Sequence, residues 1–189
     1  MRLRSILLPV TVFLISTNTF AQEESSEKAV QDTTKPEYWL GLSVQIEDSY
    51  TKIEYLTQAI KIDPENEDAL YRRGIAYDNI EDHENAVKDF TTALKYASKD
   101  PYVYNARAIS YKNMEKYKPA VKDLTKGIEL AKKDKVKAAL YLNRAQIHKL
   151  LNNNDKALSD FKKVKALVMG GPMFMNAITE INKLEKETE

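Results

Sequence analysis

Leu70-Tyr71-Arg72-Arg73-Gly74-Ile75-Ala76-Tyr77, Tyr104-Asn105-Ala106-Arg107-Ala108-Ile109-Ser110-Tyr111 and Tyr141-Leu142-Asn143-Arg144-Ala145-Gln146-Ile147-His148 are one pattern written three times. Tyr104 answers to Leu70 and Tyr141 to Tyr104, so the second step is longer than the first by three positions. A downstream segment keeps the same two steps: Ala86-Val87-Lys88-Asp89-Phe90, then Ala120-Val121-Lys122-Asp123-Leu124, then Ala157-Leu158-Ser159-Asp160-Phe161. Two segments that hold one register across three units mark an internal repeat, which takes precedence over any single motif.

Each unit has a physical logic. In the first segment large residues stand three and four apart, the helical period. One small residue (Gly74, Ala108 or Ala145) lets a second helix approach, and Tyr77 and Tyr111 follow on the same face. The second segment has its own small contact (Ala86, Ala120 or Ala157), with Phe90, Leu124 or Phe161 one turn later. Polar turns at Glu81-Asp82, Glu115-Lys116 and Asn152-Asn153-Asn154 separate the halves. Each unit is therefore expected to be a helix–turn–helix pair.

This pattern resembles the tetratricopeptide repeat family, whose period is about 34 residues. The resemblance covers roughly residues 36–168 and includes Ala59-Ile60-Lys61-Ile62-Asp63-Pro64, which looks like the end of one repeat and the start of the next. It implies an all-α fold, a right-handed superhelical solenoid of antiparallel helix pairs. Repeats are expected at 67–100, 101–134 and 138–168, after a divergent, capping one at about 36–66. In that first unit Trp39 and Gly41 sit near expected places, but Lys52-Ile53 stands where a small residue belongs, which suggests a one-residue deletion. The longer second step places three extra residues in a longer loop, at Ala97-Ser98-Lys99 or at Lys132 to Val136.

The ends read differently. Gly170-Gly171-Pro172 stops the last repeat, and residues 172–189 are expected to form a capping helix with a charged tail, because Phe174, Ala177, Ile178, Ile181 and Leu184 stand three or four apart. Such a helix covers core that the last unit would expose. At the other end Arg2 and Arg4 precede an apolar run, Ile6 to Ile15, followed by Thr19-Phe20-Ala21. The run is shorter than the ~20 residues a membrane helix needs, so residues 1–21 read as a cleaved secretory signal. Residues 22–35 are polar and read as a disordered tether. The expectation is an exported protein, in a bacterial periplasm or secreted, with no membrane insertion of the mature chain.

Composition excludes much chemistry. There is no Cys among the 189 residues, so neither a disulfide scaffold nor thiol catalysis is available. The formal charge of +1 removes the usual electrostatic case for nucleic acid. The two His are far apart, and no Ser–His–Asp order, phosphate loop or His-Glu-x-x-His is present. No catalytic residue, metal site or cofactor is expected. His83 reads as a surface residue in an acidic turn, and His148 as a packing residue in the place of Tyr77 and Tyr111.

Arg73, Arg107 and Arg144 recur at one place, with Asp89, Asp123 and Asp160 sixteen residues after each. A charge repeated in every unit argues for architecture, so ion pairs are expected; the planar guanidinium fork suits a carboxylate. In the family, first helices line a concave groove. By position the resemblance assigns to it Tyr71, Arg72, Ile75 and Asn79; Asn105, Ile109, Lys112 and Asn113; and Asn143, Gln146 and Lys149. Asp68, Asp78, Tyr102, Ala106, Ala139, Leu142 and Leu150 share those faces. Relatives hold a ligand backbone with an Asn in this part of the first helix; Asn143 matches and Asn105 is one residue off. Asn donates and accepts, which suits a peptide amide. Arg72, Lys112 and Lys149 are expected to attract an acidic peptide or a terminal carboxylate. The function implied is a non-enzymatic scaffold for a protein or peptide partner; the alternative is a subunit of a bacterial envelope assembly bound through its convex face or end cap.

Overall fold

The structure is a computed structural model that describes residues 32–186. The expected signal and residues 22–31 of the polar stretch lie outside the described residues, as do the last three residues of the tail. Among the described residues are nine helices: α1 (Pro36–Gln45), α2 (Ser49–Ile62), α3 (Glu67–Asn79), α4 (His83–Tyr96), α5 (Pro101–Asn113), α6 (Tyr117–Leu130), α7 (Asp134–Leu150), α8 (Asn154–Leu167) and α9 (Gly171–Lys186). Consecutive helices pack on one another throughout, and the pairs stack into an all-α solenoid.

The polar turns are helix caps. Asp48, Asn66, Asp82 and Asp100 accept from the backbone N–H of Thr51, Ala69, Asn85 and Tyr102, which satisfies first-turn donors of α2, α3, α4 and α5. Within the last three repeats the turn is made by a left-handed residue at a fixed place: Glu81 (φ 63°), Glu115 (φ 58°) and Asn152 (φ 56°). Gly170 and Gly171, at φ 74° and 77°, turn the chain from α8 into α9; two successive left-handed residues are natural only for glycine. Residues 32–35 also form structure. Asp32 caps the Thr34 N–H and the Trp39 indole donates to the Thr33 carbonyl at 3.0 Å, so the polar stretch gives way to an ordered turn at Asp32.

Packing follows small-against-large pairing. A Cβ on Gly74 would meet Phe90 Cε1 at 2.6 Å. Phe90, Leu124 and Phe161 are all fully buried, and the core runs as a row of clusters, one for each stacked unit. α9 lays Ala177, Ile181 and Leu184 on the cluster around Phe161 and Val164, and leaves Met175, Asn176 and Thr179 exposed.

Two readings of the sequence need correction. The first concerns the longer step between the last two repeats. Connections Asp63–Asn66 and Ala97–Asp100 have the same length, and the one before α7 is shorter still. The extra residues instead lengthen α7, which has 17 residues against 13 in α3 and α5. Asp134-Lys135-Val136-Lys137 contains no Gly or Pro, and Asp134 suits a helix N-terminus, so the segment adds a helical turn.

The second concerns the first pair, which carries no deletion. Gln45 at the end of α1 stands to Asn79 at the end of α3 as Ile62 of α2 stands to Tyr96 of α4, and both spacings equal the step from Leu70 to Tyr104. Lys52 stands in the place of Ala86 and Trp39 and Tyr55 in those of Arg73 and Asp89; the two rings are 5.9 Å apart. Gly41 makes no close approach, since a Cβ there would meet nothing within 4 Å; the buried small residue of α1 is Ser43.

Candidate functional site

Helices α3, α5, α7 and α9 each touch the next in that series, which puts the first helices on the inner side of the stack. Three cavities lie along this face. One of about 490 Å³ is bounded by Ser43, Val44, Lys52, Tyr71, Arg72 and Ile75. A second, about 450 Å³ and largely apolar, lies between α5 and α7 beside Tyr102, Asn105, Val136, Ala139 and Met173. The third, about 280 Å³, is bounded by Lys112, Gln146, Lys149, Leu150 and Glu180. Thus Tyr71, Arg72 and Ile75 share one site, Asn105 belongs to another, and Lys112, Gln146 and Lys149 share the last. Asn79, Ile109, Asn113 and Asn143 border none of the three, and Ala106 is buried in the core.

The two asparagines meet. Asn143 Nδ2 donates to Asn105 Oδ1 at 2.8 Å, which links α7 to α5. The cations divide. Arg72 Nε is bound by both oxygens of Asp68, at 2.8 and 2.9 Å. Lys149 is paired with Glu180 of α9. Only Lys112 of the three lacks a carboxylate partner among the described residues. Asp78 is not a groove residue: its oxygens hold Ser110 Oγ of α5 at 2.6 Å and His83 Nδ1 at 2.7 Å. His83 is accordingly not a free surface residue; its side chain is largely covered.

Each repeated arginine joins three helices. Arg73 grips Asp89 with Nε and Nη2 at 2.7 and 2.8 Å, and its Nη1 reaches Thr57 of the preceding unit at 3.1 Å. Arg107 does the same with Asp123 and Thr91, and Arg144 with Asp160 and Thr125. Burial lowers the Arg73 and Arg107 pKa, but the carboxylate hydrogen bond and charge more than offset this, and the net direction is up. For Arg144 the Asp160 hydrogen bond dominates in the same direction. The threonines were missed at the sequence level, although they recur at 57, 91 and 125. His148 is buried, and its Nδ1 has no hydrogen-bond partner among the described residues. Burial pushes its pKa below the ordinary histidine value. Among the described residues no cluster of three His, Asp or Glu is placed to hold a metal, and no helix is long and apolar enough to cross a membrane.

Stacked helix pairs with an inner face of first helices define an α-solenoid. A tetratricopeptide repeat model matches residues 67–100, 101–134 and 138–167, more than half of the chain, and the chain belongs to that family. No curated protein matches its sequence. Among solved structures it is similar to MamA, at 18% identity over 82% of each chain with a TM-score of 0.72. It is also similar to YrrB, a tetratricopeptide repeat protein with an unusual peptide-binding site, at 16% identity over 83% of this chain and 79% of that one, TM-score 0.68. The first such domain of Spaghetti (RPAP3), bound to the HSP90 peptide SRMEEVD, matches at 19% identity over 65% of this chain and 92% of that one, TM-score 0.58. These likenesses establish the fold.

Proposed function

We propose that the protein is an exported, non-enzymatic scaffold that holds a peptide or protein segment along the inner face of its first helices. The Asn105–Asn143 pair carries this reading. Its one internal bond uses Asn143 Nδ2 and Asn105 Oδ1, so the donor Asn105 Nδ2 and the acceptor Asn143 Oδ1 have no partner among the described residues. An extended segment turns the N–H and C=O of one residue to the same side, and the pair offers the complement. The neighbouring apolar cavity gives a side chain of such a segment somewhere to go. YrrB and the RPAP3 domain show that proteins of this fold take up peptides, which supports the same class of work here. Export rests on Arg2, Arg4, the apolar run and Thr19-Phe20-Ala21.

The test is affinity capture with the protein and with Asn105→Ala/Asn143→Ala, matched for helicity by circular dichroism. The expected result is a partner held by the parent and lost by the variant. Undiminished capture by the variant overturns the reading and moves the interface elsewhere. Mass spectrometry of the native protein is expected to find an N-terminus at Gln22; an intact Met1 would refute export by a cleaved signal.

A further inference from the structure

We propose that the pocket between α5 and the added turn of α7 selects an acidic partner segment that carries one large apolar side chain. The proposal rests on the groove reading above and names the chemistry of its partner. The pocket owes its rim to the added turn, since Lys135 and Val136 of that turn and Lys133 at its N-cap border it, and α3 and α5 have no such turn. Its remaining wall includes Tyr102, which is 52% exposed, Ala139 and Met173. At about 450 Å³ it falls within the range of sites that enclose a ligand group.

Charge sets the rest. Lys132, Lys133, Lys135 and Lys137 fall within six residues, interrupted by one acid, Asp134. None of the four lysines has an ion-pair partner among the described residues, whereas Lys126 of α6 and Lys149 at the other end of α7 are paired with Glu129 and Glu180. The wider field agrees. Residues 32–100 hold 15 acidic and 8 basic side chains, and residues 101–186 hold 8 acidic and 18 basic. A solenoid lays its sequence out along one axis, so near-neutrality of the whole conceals an acidic half and a basic half. An acidic segment is steered to the basic half and repelled from α3, which fixes where along the face it settles. The apolar lining favours a protein segment over a nucleic acid strand, whose phosphates need only the lysines.

The experiment is fluorescence anisotropy on the full chain with four labelled probes. The first is a heptapeptide with three acidic residues on each side of one phenylalanine. The second carries alanine for that phenylalanine, the third lysines for the acids, and the fourth is a single-stranded oligonucleotide. The first probe is expected to bind at least about ten-fold more tightly than each of the others, and to weaken as salt shortens the screening length. Lys133→Glu/Lys135→Glu is expected to weaken it by about ten-fold or more, while the charge-matched Lys88→Glu/Lys95→Glu, at exposed positions on α4 away from the inner face, leaves it within about two-fold. Ala139→Phe fills the pocket without altering charge and is expected to abolish the preference for phenylalanine over alanine.

Equal binding of the lysine peptide, tighter binding of the oligonucleotide, no binding of any probe, or no effect of the Lys133/Lys135 variant overturns the proposal. The two readings fail separately. A partner lost by the asparagine variant but kept by the Lys133/Lys135 variant refutes the acidic anchor alone. Peptide binding that needs the lysines and ignores the asparagines refutes the amide reading and leaves the pocket standing.

Discussion

Arg107→Met tests the joint that recurs through the array. The side chains of Arg107 and Asp123 are 16% and 7% exposed, and two hydrogen bonds of 2.7 and 2.8 Å join them. Removing the guanidinium leaves a nearly buried carboxylate with no cation, a change that costs about 3–5 kcal/mol in comparable sites. Smaller losses accompany it. The Tyr104 and Tyr111 rings lie 5.9 Å from the guanidinium carbon, near the outer limit of cation–π attraction, and add at most about 0.5 kcal/mol each. Thr91 sits at an exposed position, so water replaces its lost bond. The net expectation is a loss of about 3–4 kcal/mol, toward the lower end because the pair has a solvent edge. For a chain of this size that is a fall in Tm of roughly 6–16 °C. Urea unfolding followed by far-ultraviolet circular dichroism measures it. Arg107→Met/Asp123→Leu removes both charges and is expected to recover at least about half of the loss, since apolar replacement of a buried pair is often close to neutral. A single-variant loss under about 1 kcal/mol, or a double variant no better than the single one, would refute the argument that the pair is held by its own complementarity.

Three further outcomes are expected. Gly74→Ala drives a methyl to 2.6 Å from the Phe90 ring and should destabilise by about 1–3 kcal/mol, with Phe90→Leu in the same chain restoring part of it; calorimetry that finds Gly74→Ala neutral would contradict the packing described. His148 has a folded-state pKa below its unfolded value, so the unfolded chain binds more protons once pH falls below about 6.5, and the stability that neutral His148 supports is present above that pH and lost below it. His148→Tyr, which restores the residue type of Tyr77 and Tyr111, should therefore flatten the pH dependence of the urea midpoint between about 7 and 5; an unchanged slope would count against a neutral buried imidazole. Glu115→Asn should stabilise by under about 1 kcal/mol, because Asn tolerates the φ of 58° better than Glu and already fills the equivalent place at Asn152; a loss of stability would speak against strain at that turn.

What could be read from the residues depended on how local the cause was. Gly74, Ala108 and Ala145, set against Phe90, Leu124 and Phe161, announce helix pairs because close approach needs a small residue wherever a large one faces it. The same rule misplaced the contact in α1, where Ser43 is buried and Gly41 is open. The three inserted residues could not be assigned from spacing alone, since a count does not say whether a loop or a helix absorbs them; the helix-compatible Asp134-Lys135-Val136-Lys137 decided for α7. Arg72 stands four residues after Asp68, so its neutralisation was open to a helical-spacing argument. That of Lys149 was not, because Glu180 reaches it only after α9 folds back. Asn105 and Asn143 belong to different repeats and come within hydrogen-bond distance through the stacking of two units, which no local pattern encodes.

The exchange of Trp39 and Tyr55 for the arginine–aspartate pair found at the same places in the later repeats bears on how such an array can diverge. A lone arginine opposite Tyr55, or a lone aspartate opposite Trp39, would leave a half-buried charge without a counter-charge, so each intermediate is expected to be less stable than either end point. The two positions are therefore heritable only as a couple: change at one is trapped until the other follows. A repeat that has crossed this divide has also left the ionic register of its neighbours, which gives the terminal unit a separate course of sequence drift from the three it supports.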